Sequence, residues 1–268
     1  QPRHVAALTG HTGTVWALGF SPDGRILASG AGDGATMLWN VADPAHPILL
    51  STITEHDGAV TRVGFAPDGR IPATASHDQT AVLWNITDPA RPSRASTLAA
   101  HTDGLWSMAF APDGRLLATG GPDRSIILWD TTDPAHPDGV ATLTGPEGPV
   151  STLAFSPDGR VLAAGSWDGS VLLVDVTDPA RPHGLATLAG DGGRVYTVAF
   201  SRDGRTLVAG ASEDPAVMLW DVTDPARATH LGGLAGHTAS VQGAAFSADG
   251  SLLATSSHDG TVILWTSQ

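Results

Sequence analysis

One sequence pattern occurs six times along the 268 residues of this chain. In each copy an apolar run ends in Phe, and a turn sequence such as Ser-Pro-Asp-Gly follows it. The spacing between these Phe residues is 45 residues four times and 46 residues once, at Phe20, Phe65, Phe110, Phe155, Phe200 and Phe246. A period of this length is typical of repeat architectures, in which no single copy buries its apolar surface alone and neighbouring copies stack.

Each copy is predicted to form four short antiparallel strands. In the first copy, runs rich in β-forming residues lie at 15–20, 26–29, 35–39 and 48–53. Pro22, Asp23 and Gly24 form a turn after the first run, because proline sets φ, the Asp side chain bonds the backbone and glycine accepts the left-handed conformation. Such a small sheet has two apolar faces, so the sheets are expected to stack around an axis.

This order of elements resembles the WD-repeat β-propeller family. The resemblance rests on Gly-His before the first run, the apolar-Phe-Ser-Pro-Asp-Gly segment and Trp-Asp at the end of the third run, and it covers essentially the whole chain. It implies an all-β fold, a six-bladed β-propeller of four-stranded antiparallel blades, as a single domain over residues 1–268. The blade repeats then start near residues 10, 55, 100, 145, 190 and 236.

The ends of the chain predict how such a ring is closed. The last copy runs to Trp265 and reaches residue 268 without a fourth run, while residues 3–10 resemble residues 140–145. In this family the fourth strand of the last blade usually comes from the N-terminus, so residues 3–9 are expected to complete that blade. Seven blades is the commoner number in the family. A longer array of repeats that was cut at a repeat boundary would also begin and end at these positions within the repeat.

The resemblance also implies a structural hydrogen-bond network in each blade. It joins a His before the first strand, a Ser or Thr on the second, an Asp in the following turn and the Trp of the third. Four copies carry all four residues: His11, Ser29, Asp33 and Trp39; His56, Thr74, Asp78 and Trp84; His101, Thr119, Asp123 and Trp129; His237, Thr255, Asp259 and Trp265. The fourth copy has Pro146, Ala164, Asp168 and Val174, and the fifth has Asp191, Ala209, Asp214 and Trp220. His and hydroxyl are lost together, as expected if each would be left buried without a partner, at a cost of roughly 1–3 kcal/mol.

Four aromatic residues fall outside the repeated positions. They are Trp16, Trp106, Trp167 and Tyr196, whereas all six Phe and the other five Trp occupy repeated positions. In the implied fold all four lie on the top rim and converge at one mouth of the central channel. Trp and Tyr at an exposed concave rim are the usual anchors of binding hot spots, so a partner segment with an apolar or cationic side chain is expected there. The alternative is that these rings only plug the narrow end of the channel.

Four polar residues complete the predicted partner-binding set on this rim: Arg194, Glu213, His77 and His258. Arg194 and Glu213 would add selectivity for charged groups of the partner. The opposite rim carries arginines beside the Pro-Asp-Gly and Asp-Pro-Ala turns, and the interleaved Asp residues favour a solvated mixture of charges there over an anion site.

Composition excludes several classes of function. A formal net charge of −13 without a basic cluster argues against nucleic acid and anionic membranes as partners. The chain has no Cys, which rules out disulfides and thiolate metal sites, and no apolar run approaches a membrane span or a signal peptide. We find no phosphate-binding Gly-rich loop, no His-Glu-x-x-His spacing and no nucleophile elbow, so no catalytic residue, metal or cofactor is predicted.

These observations predict a non-catalytic scaffold that recognises a protein or peptide segment, located in the cytoplasm, with its oligomeric state left open. All fourteen basic residues are Arg, and Ala, Gly, Pro and Asp are abundant, which suggests a GC-rich, actinobacterial-like genome. Similar repeats there often form the C-terminal part of signalling ATPases or kinases, so a sensor or interaction domain of a larger bacterial signalling, defence or assembly protein is expected. The alternative is an enzyme or a small-ligand-binding propeller with its site at the top mouth, near Glu213 and Arg194.

Overall fold

The computed structural model describes residues 4–69, 72–190, 193–212 and 217–266. The chain forms two compact units, Gln1–Thr119 with Trp129–Asp138, and Gly120–Leu128 with Gly139–Gln268. The strands of the described residues make six sheets, and within each sheet the neighbours follow chain order.

The first three sheets lie within residues 15–144. The first contains β1 (Val15–Phe20), β2 (Ile26–Ala31), β3 (Thr36–Asn40) and β4 (Ile48–Ile53). The second contains β5 (Val60–Phe65), β6 (Pro72–Ser76), β7 (Ala81–Asn85) and β8 (Ser93–Leu98). The third contains β9 (Ser107–Phe110), β10 (Leu116–Gly120), β11 (Ser125–Asp130) and β12 (Asp138–Thr144).

The remaining sheets follow in the same order. The fourth contains β13 (Val150–Phe155), β14 (Val161–Ser166), β15 (Ser170–Asp175) and β16 (His183–Ala189). The fifth contains β17 (Val195–Phe200), β18 (Thr206–Ala211), β19 (Val217–Asp221) and β20 (Thr229–Leu234), with a short 3-10 turn at Pro225–Arg227. The sixth contains β21 (Val241–Phe246), β22 (Leu252–Ser257) and β23 (Val262–Thr266). Among the described residues there is no helix that is long and apolar enough to cross a membrane.

The turn between the first two strands of a sheet is built by its Ser-Pro-Asp-Gly sequence. Asp23 accepts hydrogen bonds from the Ser21 hydroxyl at 2.6 Å and from the Arg25 amide at 3.0 Å. The Ser21 oxygen in turn accepts the Ile26 amide at 2.9 Å, and Gly24 has φ +69°, a conformation that favours glycine. These bonds saturate the turn locally, and the Asp and Gly of this turn recur after each first strand, whereas Ala replaces the Ser in two copies and Arg or Ala replaces the Pro in two others.

Neighbouring sheets pack closely where a valine of one sheet contacts a glycine of the other. Val60 at the start of β5 is fully buried, and a Cβ added to Gly30 of β2 would lie 2.5 Å from its Cγ1. The same approach recurs in the second unit between Gly165 and Val195 at 2.6 Å. Glycine on the second strand therefore lets the first strand of the next sheet pack closely, and the apolar core lies between sheets.

Residues 3–9, which are predicted to complete the last blade, form no strand where the structure describes them, and their pairing with that blade stays a prediction. The sixth sheet has three strands in the part of the chain that the structure describes, and residues 4–10 are not in a strand. Residue 3 lies outside the described residues. Leu8 instead packs against Leu27, Met37 and Trp39 of the first sheet, so this segment is held by side-chain burial and does not depend on a strand ladder.

Candidate functional site

The hydrogen-bond network in the second sheet joins the four residues that the family resemblance implies. The Trp84 Nε1 donates to the Thr74 hydroxyl at 2.9 Å, and Thr74 lies 2.8 Å from His56 Nε2. His56 Nδ1 lies 2.7 Å from an Asp78 carboxylate oxygen. The Asp78 carboxylate can only accept, so the His56 Nδ1–H donates to it, and the Nε2 of that tautomer accepts from the Thr74 hydroxyl. Thr74 is therefore the central member of this network.

The sixth and first sheets repeat this geometry. His237 Nε2 lies 2.8 Å from the Thr255 hydroxyl, which accepts from Trp265 Nε1 at 2.9 Å, and His237 Nδ1 lies 3.0 Å from Asp259. The equivalent bonds of His11 are 2.8 Å to Ser29 and 3.2 Å to Asp33. Trp39 Nε1 donates to Ser29 at 3.0 Å.

The third sheet has the same bonds around its threonine. His101 Nε2 lies 2.8 Å from the Thr119 hydroxyl, which accepts from Trp129 Nε1 at 2.9 Å. Asp123 accepts from the amide and hydroxyl of Ser125 at 3.0 and 2.8 Å. His side chains committed to these bonds are held in fixed orientations, which suits a structural role.

The sheets without the His show what remains of the network. Ala164 and Val174 of the fourth sheet are fully buried, so apolar packing replaces the hydroxyl and the indole there. Asp168 still accepts the Gly148 amide at 3.1 Å and the Ser170 amide at 2.8 Å, because these bonds depend only on the turn. Asp191 and Asp214 of the fifth copy lie outside the described residues. In the fifth sheet Ala209 is fully buried, and the Trp220 ring lies 5.6 Å from the His230 ring.

The turn carboxylates are held in their charged form. Burial by itself would raise the pKa of Asp33, but hydrogen bonds from the Thr12 and Ala35 amides and from His11 lower the pKa from 3.8 to about 2. The pKa of Asp259 is also lowered, first by the hydrogen bond from the Thr261 side chain. These Asp residues act as ionised acceptors that anchor the turn to the His.

Two of the four singled-out aromatic positions, those of Trp16 and Tyr196, coincide with a β-bulge. The pairing register shifts between the first and third residues of the first strand, for example at Val15/Ala17 and Val195/Thr197. The second residue, which is Trp16 in the first sheet and Tyr196 in the fifth, is therefore left out of the ladder and its side chain is re-aimed. Thr61 and Ser151 occupy this position in other sheets, where their hydroxyls donate to the Leu105 and Val195 carbonyls at 2.7 and 2.5 Å.

Three of the predicted site residues form one cluster in the second unit. The Trp167 and Tyr196 rings meet edge to face, with centroids 6.3 Å apart and planes at 90°. The Arg194 guanidinium carbon lies 4.4 Å from the Trp167 ring centroid, a cation–π geometry. Arg194 is exposed, both rings are half-buried, and the Arg194 amide and carbonyl bond Ser212 at 3.0 and 2.8 Å. We call Trp167, Tyr196 and Arg194 the aromatic–arginine cluster.

The other predicted residues have separate surroundings. Trp16 is largely exposed beside Gly32 in the first unit. His77 is exposed, and its backbone lies against Gly104, just before the half-buried Trp106. In the second unit, exposed His258 bonds the Ser240 hydroxyl at 3.1 Å. Glu213 lies outside the described residues. No group of three potential metal ligands occurs within the described ranges.

Sequence reasoning missed two features. Arg62, in the third position of β5, is the only basic residue in any first strand, and burial lowers its pKa while its Nη1 donates to the Thr61 carbonyl at 2.8 Å. A cavity of about 580 Å³ in the first unit is lined by residues that include Asp68, Phe110 and Arg115, on the side of the Pro-Asp-Gly turns. Arg62 could have been found by comparing that position across the copies, whereas the cavity depends on how the sheets pack.

Comparison with known proteins gives short matches to curated relatives and a long match to a solved structure. The chain is 69% identical over 32 residues to a probable cytosolic Fe-S cluster assembly factor of Schizosaccharomyces japonicus, which covers 12% of this chain and 5% of that protein. It is 51% identical over 37 residues to the small ribosomal subunit protein RACK1 of Neurospora crassa, covering 14% of this chain and 12% of that protein. The chain thus spans only a small part of the length of these relatives.

The fold matches over almost the whole chain. A chain in the crystal structure of a mitotic checkpoint complex superposes with a TM-score of 0.85 at 21% identity, covering 97% of this chain and 77% of that one. This likeness confirms the predicted all-β, six-bladed propeller fold.

The sequence also matches the family described as "WD domain, G-beta repeat" in six stretches, at residues 2–40, 48–85, 93–130, 138–175, 184–221 and 228–266. Each of the later matched stretches begins at or near the fourth strand of one sheet and ends with the third strand of the next. The chain therefore belongs to the WD-repeat family, with six repeats.

Proposed function

We propose that this chain is a non-catalytic recognition scaffold that binds a protein or peptide segment at the aromatic–arginine cluster. The observation that carries the proposal is the contact among Trp167, Tyr196 and Arg194. No other copy has Trp, Tyr or Phe at the Trp167 position, and three copies have none at the Tyr196 position. Trp, Tyr and Arg are the residues most enriched in binding hot spots. Family membership supports the same role, since propellers of this type typically serve as interaction scaffolds.

The contacts within the cluster favour one kind of ligand group. Arg194 already lies over the Trp167 ring, so a ligand cation would meet like charge at that ring. An acidic or apolar side chain fits better, because Arg194 offers hydrogen-bond donors and the half-buried rings offer apolar contact. The proposal therefore keeps the apolar anchor that the sequence predicts and replaces the cationic anchor by an acidic one.

We also propose that this chain belongs to a bacterial protein of the cytoplasm. The arginine-only basic composition supports a bacterial signalling, defence or assembly protein in the cytoplasm, of which this domain would be the sensor or interaction part. The relatives found are eukaryotic and match only short stretches, so they lend no support to the bacterial origin. A net charge of −13 supports a protein partner over nucleic acid or an anionic membrane.

A displayed peptide library, selected on the wild-type chain, tests the site. The dissociation constants of the selected peptides are then measured on Trp167→Ala and Arg194→Gln variants. We expect each variant to weaken binding by about tenfold or more, since hot-spot truncations cost at least about 2 kcal/mol. Thermal melting should change little, because both side chains lie at the rim.

The matched control carries Arg25→Ala and Arg115→Ala, two exposed arginines beside the Pro-Asp-Gly turns. We expect this double variant to bind the peptides like the wild type. Peptides that lose affinity on the control but not on the cluster variants would place the binding face elsewhere. Unfolding of Trp167→Ala would show that this ring serves the fold.

A further inference from the structure

The third position of the first strand carries a small residue in every copy but the second. In β5 this position is Arg62, which pairs with Ala75 of the next strand. The side chains at this position in four other copies are at most 9% exposed, so the position is packed in those sheets. The fold therefore does not require a cation there. The residues that align with Arg62 are Ala17, Ser107, Thr152, Thr197 and Gly243.

Arg62 lies on the side of β5 that meets the next sheet. A Cβ added to Gly64, which is on the same side of the strand, would lie 3.5 Å from the Met108 methyl of β9. In the second unit the equivalent positions are in direct contact, because the Ala244 amide donates to the Thr197 hydroxyl at 3.2 Å. Thr197 aligns with Arg62. Ala244 aligns with Met108, so the repeat places the Met108 amide next to the Arg62 side chain.

The Arg62 guanidinium lacks a counter-charge. Its Nη1 donates to the Thr61 carbonyl at 2.8 Å, and this bond uses only one of its N–H donors. Within the described ranges no carboxylate forms an ion pair with it. Its remaining nitrogens are not enclosed away from solvent, so a ligand can reach them. Exposed arginines of this chain do pair with carboxylates: Arg94 with Glu55 at 3.5 Å, Arg181 with Asp178 at 3.4 Å and Arg227 with Asp224 at 3.9 Å.

Partial burial makes the missing counter-charge costly. Arg62 is half-buried, and burial lowers its pKa with no neighbouring group acting in the opposite direction. An arginine keeps its proton even so, and the cost is relieved when an anion pairs with it. A guanidinium with unused donors beside a backbone amide is well suited to hold an oxyanion through several hydrogen bonds.

The charge balance favours an anion with a single negative charge. One guanidinium neutralises one such charge, and a net charge of −13 repels multiply charged anions more strongly. A carboxylate carries one charge on two oxygens in a plane, which matches two donors of the planar guanidinium. Phosphate and sulfate dianions would bring a second charge that nothing here compensates.

We propose that Arg62 binds a carboxylate group, with the Met108 amide as a second donor. Both residues belong to the first unit, whereas the aromatic–arginine cluster belongs to the second. This site therefore does not depend on the function proposed above. A small free carboxylate and the side chain of an acidic residue share the required chemistry.

Titration with sodium acetate tests the site, with sodium chloride keeping the ionic strength constant. NMR follows the Arg62 Nε–H and the Met108 amide from about 1 to about 100 mM acetate, which covers a millimolar dissociation constant. We expect both signals to shift and to saturate together. Arg62→Thr should weaken acetate binding at least about tenfold, because the charged hydrogen-bond donor is lost. Since two other copies have Thr at this position, the variant is compatible with the fold.

The control is Arg181→Thr, which removes the same charge from a side chain that is 88% exposed. It should bind acetate like the wild type. Arg62→Lys keeps the charge but loses the planar pair of donors. Its affinity for acetate should lie between those of the wild type and Arg62→Thr.

A second titration, with N-acetyl-glutamate amide, distinguishes the two sources of the carboxylate. This compound presents the acid as a residue of a peptide does. Binding of acetate alone would identify a small free carboxylate as the ligand. Binding of both compounds, each lost in Arg62→Thr, would identify the side chain of an acidic residue.

Three results would overturn the proposal. One is a wild-type spectrum that responds alike to acetate and chloride. Another is undiminished acetate binding by Arg62→Thr, which would show an adventitious ion only. The third is sulfate binding more tightly than acetate, which would show a site for a different class of anion. If Arg62→Thr fails to fold, wild-type shifts that leave Arg62 and Met108 unchanged, or equal affinity in Arg62→Lys, would overturn it instead.

Discussion

At the scale of single residues, Thr74 shows how one hydroxyl organises a turn. It accepts from Trp84 Nε1 and donates to His56 Nε2, and these bonds orient the ring so that Nδ1 meets Asp78. Thr74 and Trp84 are almost fully buried, so neither has water as a substitute partner. Such a buried hydrogen bond adds only modestly to the free energy of unfolding. Removal of one partner costs much more, because the other partner is left buried without a hydrogen bond.

Replacement of Thr74 by Val should therefore destabilise the chain. The side-chain volume is nearly kept, but the Trp84 and His56 nitrogens lose their shared partner, and we expect the free energy of unfolding to fall by about 2 kcal/mol or more. Urea denaturation measures the change. Thr87→Val is the control, because Thr87 is exposed and its hydroxyl donates to the side chain of Asn85, and it should change stability by less than about 0.5 kcal/mol. Equal losses at the two positions would contradict the central role of Thr74.

The Asp33 carboxylate should make stability depend on pH in the acid range. Its pKa in the folded state is about 2, below the ordinary value of 3.8, so the unfolded chain binds more protons between these values. The stabilisation is complete above pH 3.8 and is lost as the pH falls towards 2. Asp33→Asn should lower stability at neutral pH and flatten the fall between pH 5 and pH 2, measured as denaturation midpoints at each pH. An unchanged slope would show that Asp33 does not contribute to acid unfolding.

At the scale of the strand and the sheet, stacking depends on small residues of the second strand. Gly30 lies so close to Val60 that a methyl group would overlap it, at 2.5 Å from Cγ1. The β-bulge in the first strand acts on the other side of this contact, because it removes one residue from the ladder and turns Trp16 or Tyr196 out of the sheet. In each first strand, one residue thus packs against the neighbouring sheet, while the next residue, at the bulge, is turned out of the sheet.

Gly30→Ala should destabilise the chain by about 1–3 kcal/mol through overpacking. Val60→Ala in the same chain should recover part of that loss, because it removes the atoms that clash, and a double-mutant cycle by chemical denaturation measures the coupling. Gly184→Ala serves as the control, since its nearest neighbour would be Leu172 at 3.9 Å. Additive effects of Gly30→Ala and Val60→Ala would show that the two sites do not contact each other.

At the scale of the whole molecule, a net charge of −13 acts on stability. Like charges repel one another within the folded chain, and added salt screens that repulsion. We therefore expect the free energy of unfolding at neutral pH to rise with ionic strength, which urea denaturation at low and high salt measures. An unchanged free energy would show that repulsion between the carboxylates contributes little to stability.

The strands of this chain were predictable because each is decided locally. The runs at 15–20 and 48–53 coincide with β1 and β4, and the hydrogen-bond geometry of His56, Thr74, Asp78 and Trp84 is that implied by the family resemblance. Periodic apolar runs and turn residues act over a few positions, and a sixfold repeat reports the same local preference six times.

Tertiary structure alone decided how residues distant in sequence meet. Residues 4–10 resemble a fourth strand in sequence, yet they form none, because a strand needs a hydrogen-bonding edge that no local sequence supplies. Trp167 and Arg194 were both assigned to one rim, but their stacking at 4.4 Å depends on how two turns pack. The sequence determined the repeat, the strands and the turn chemistry, since these depend on neighbouring residues. The structure decided which edges and faces are covered, since coverage depends on packing across the chain.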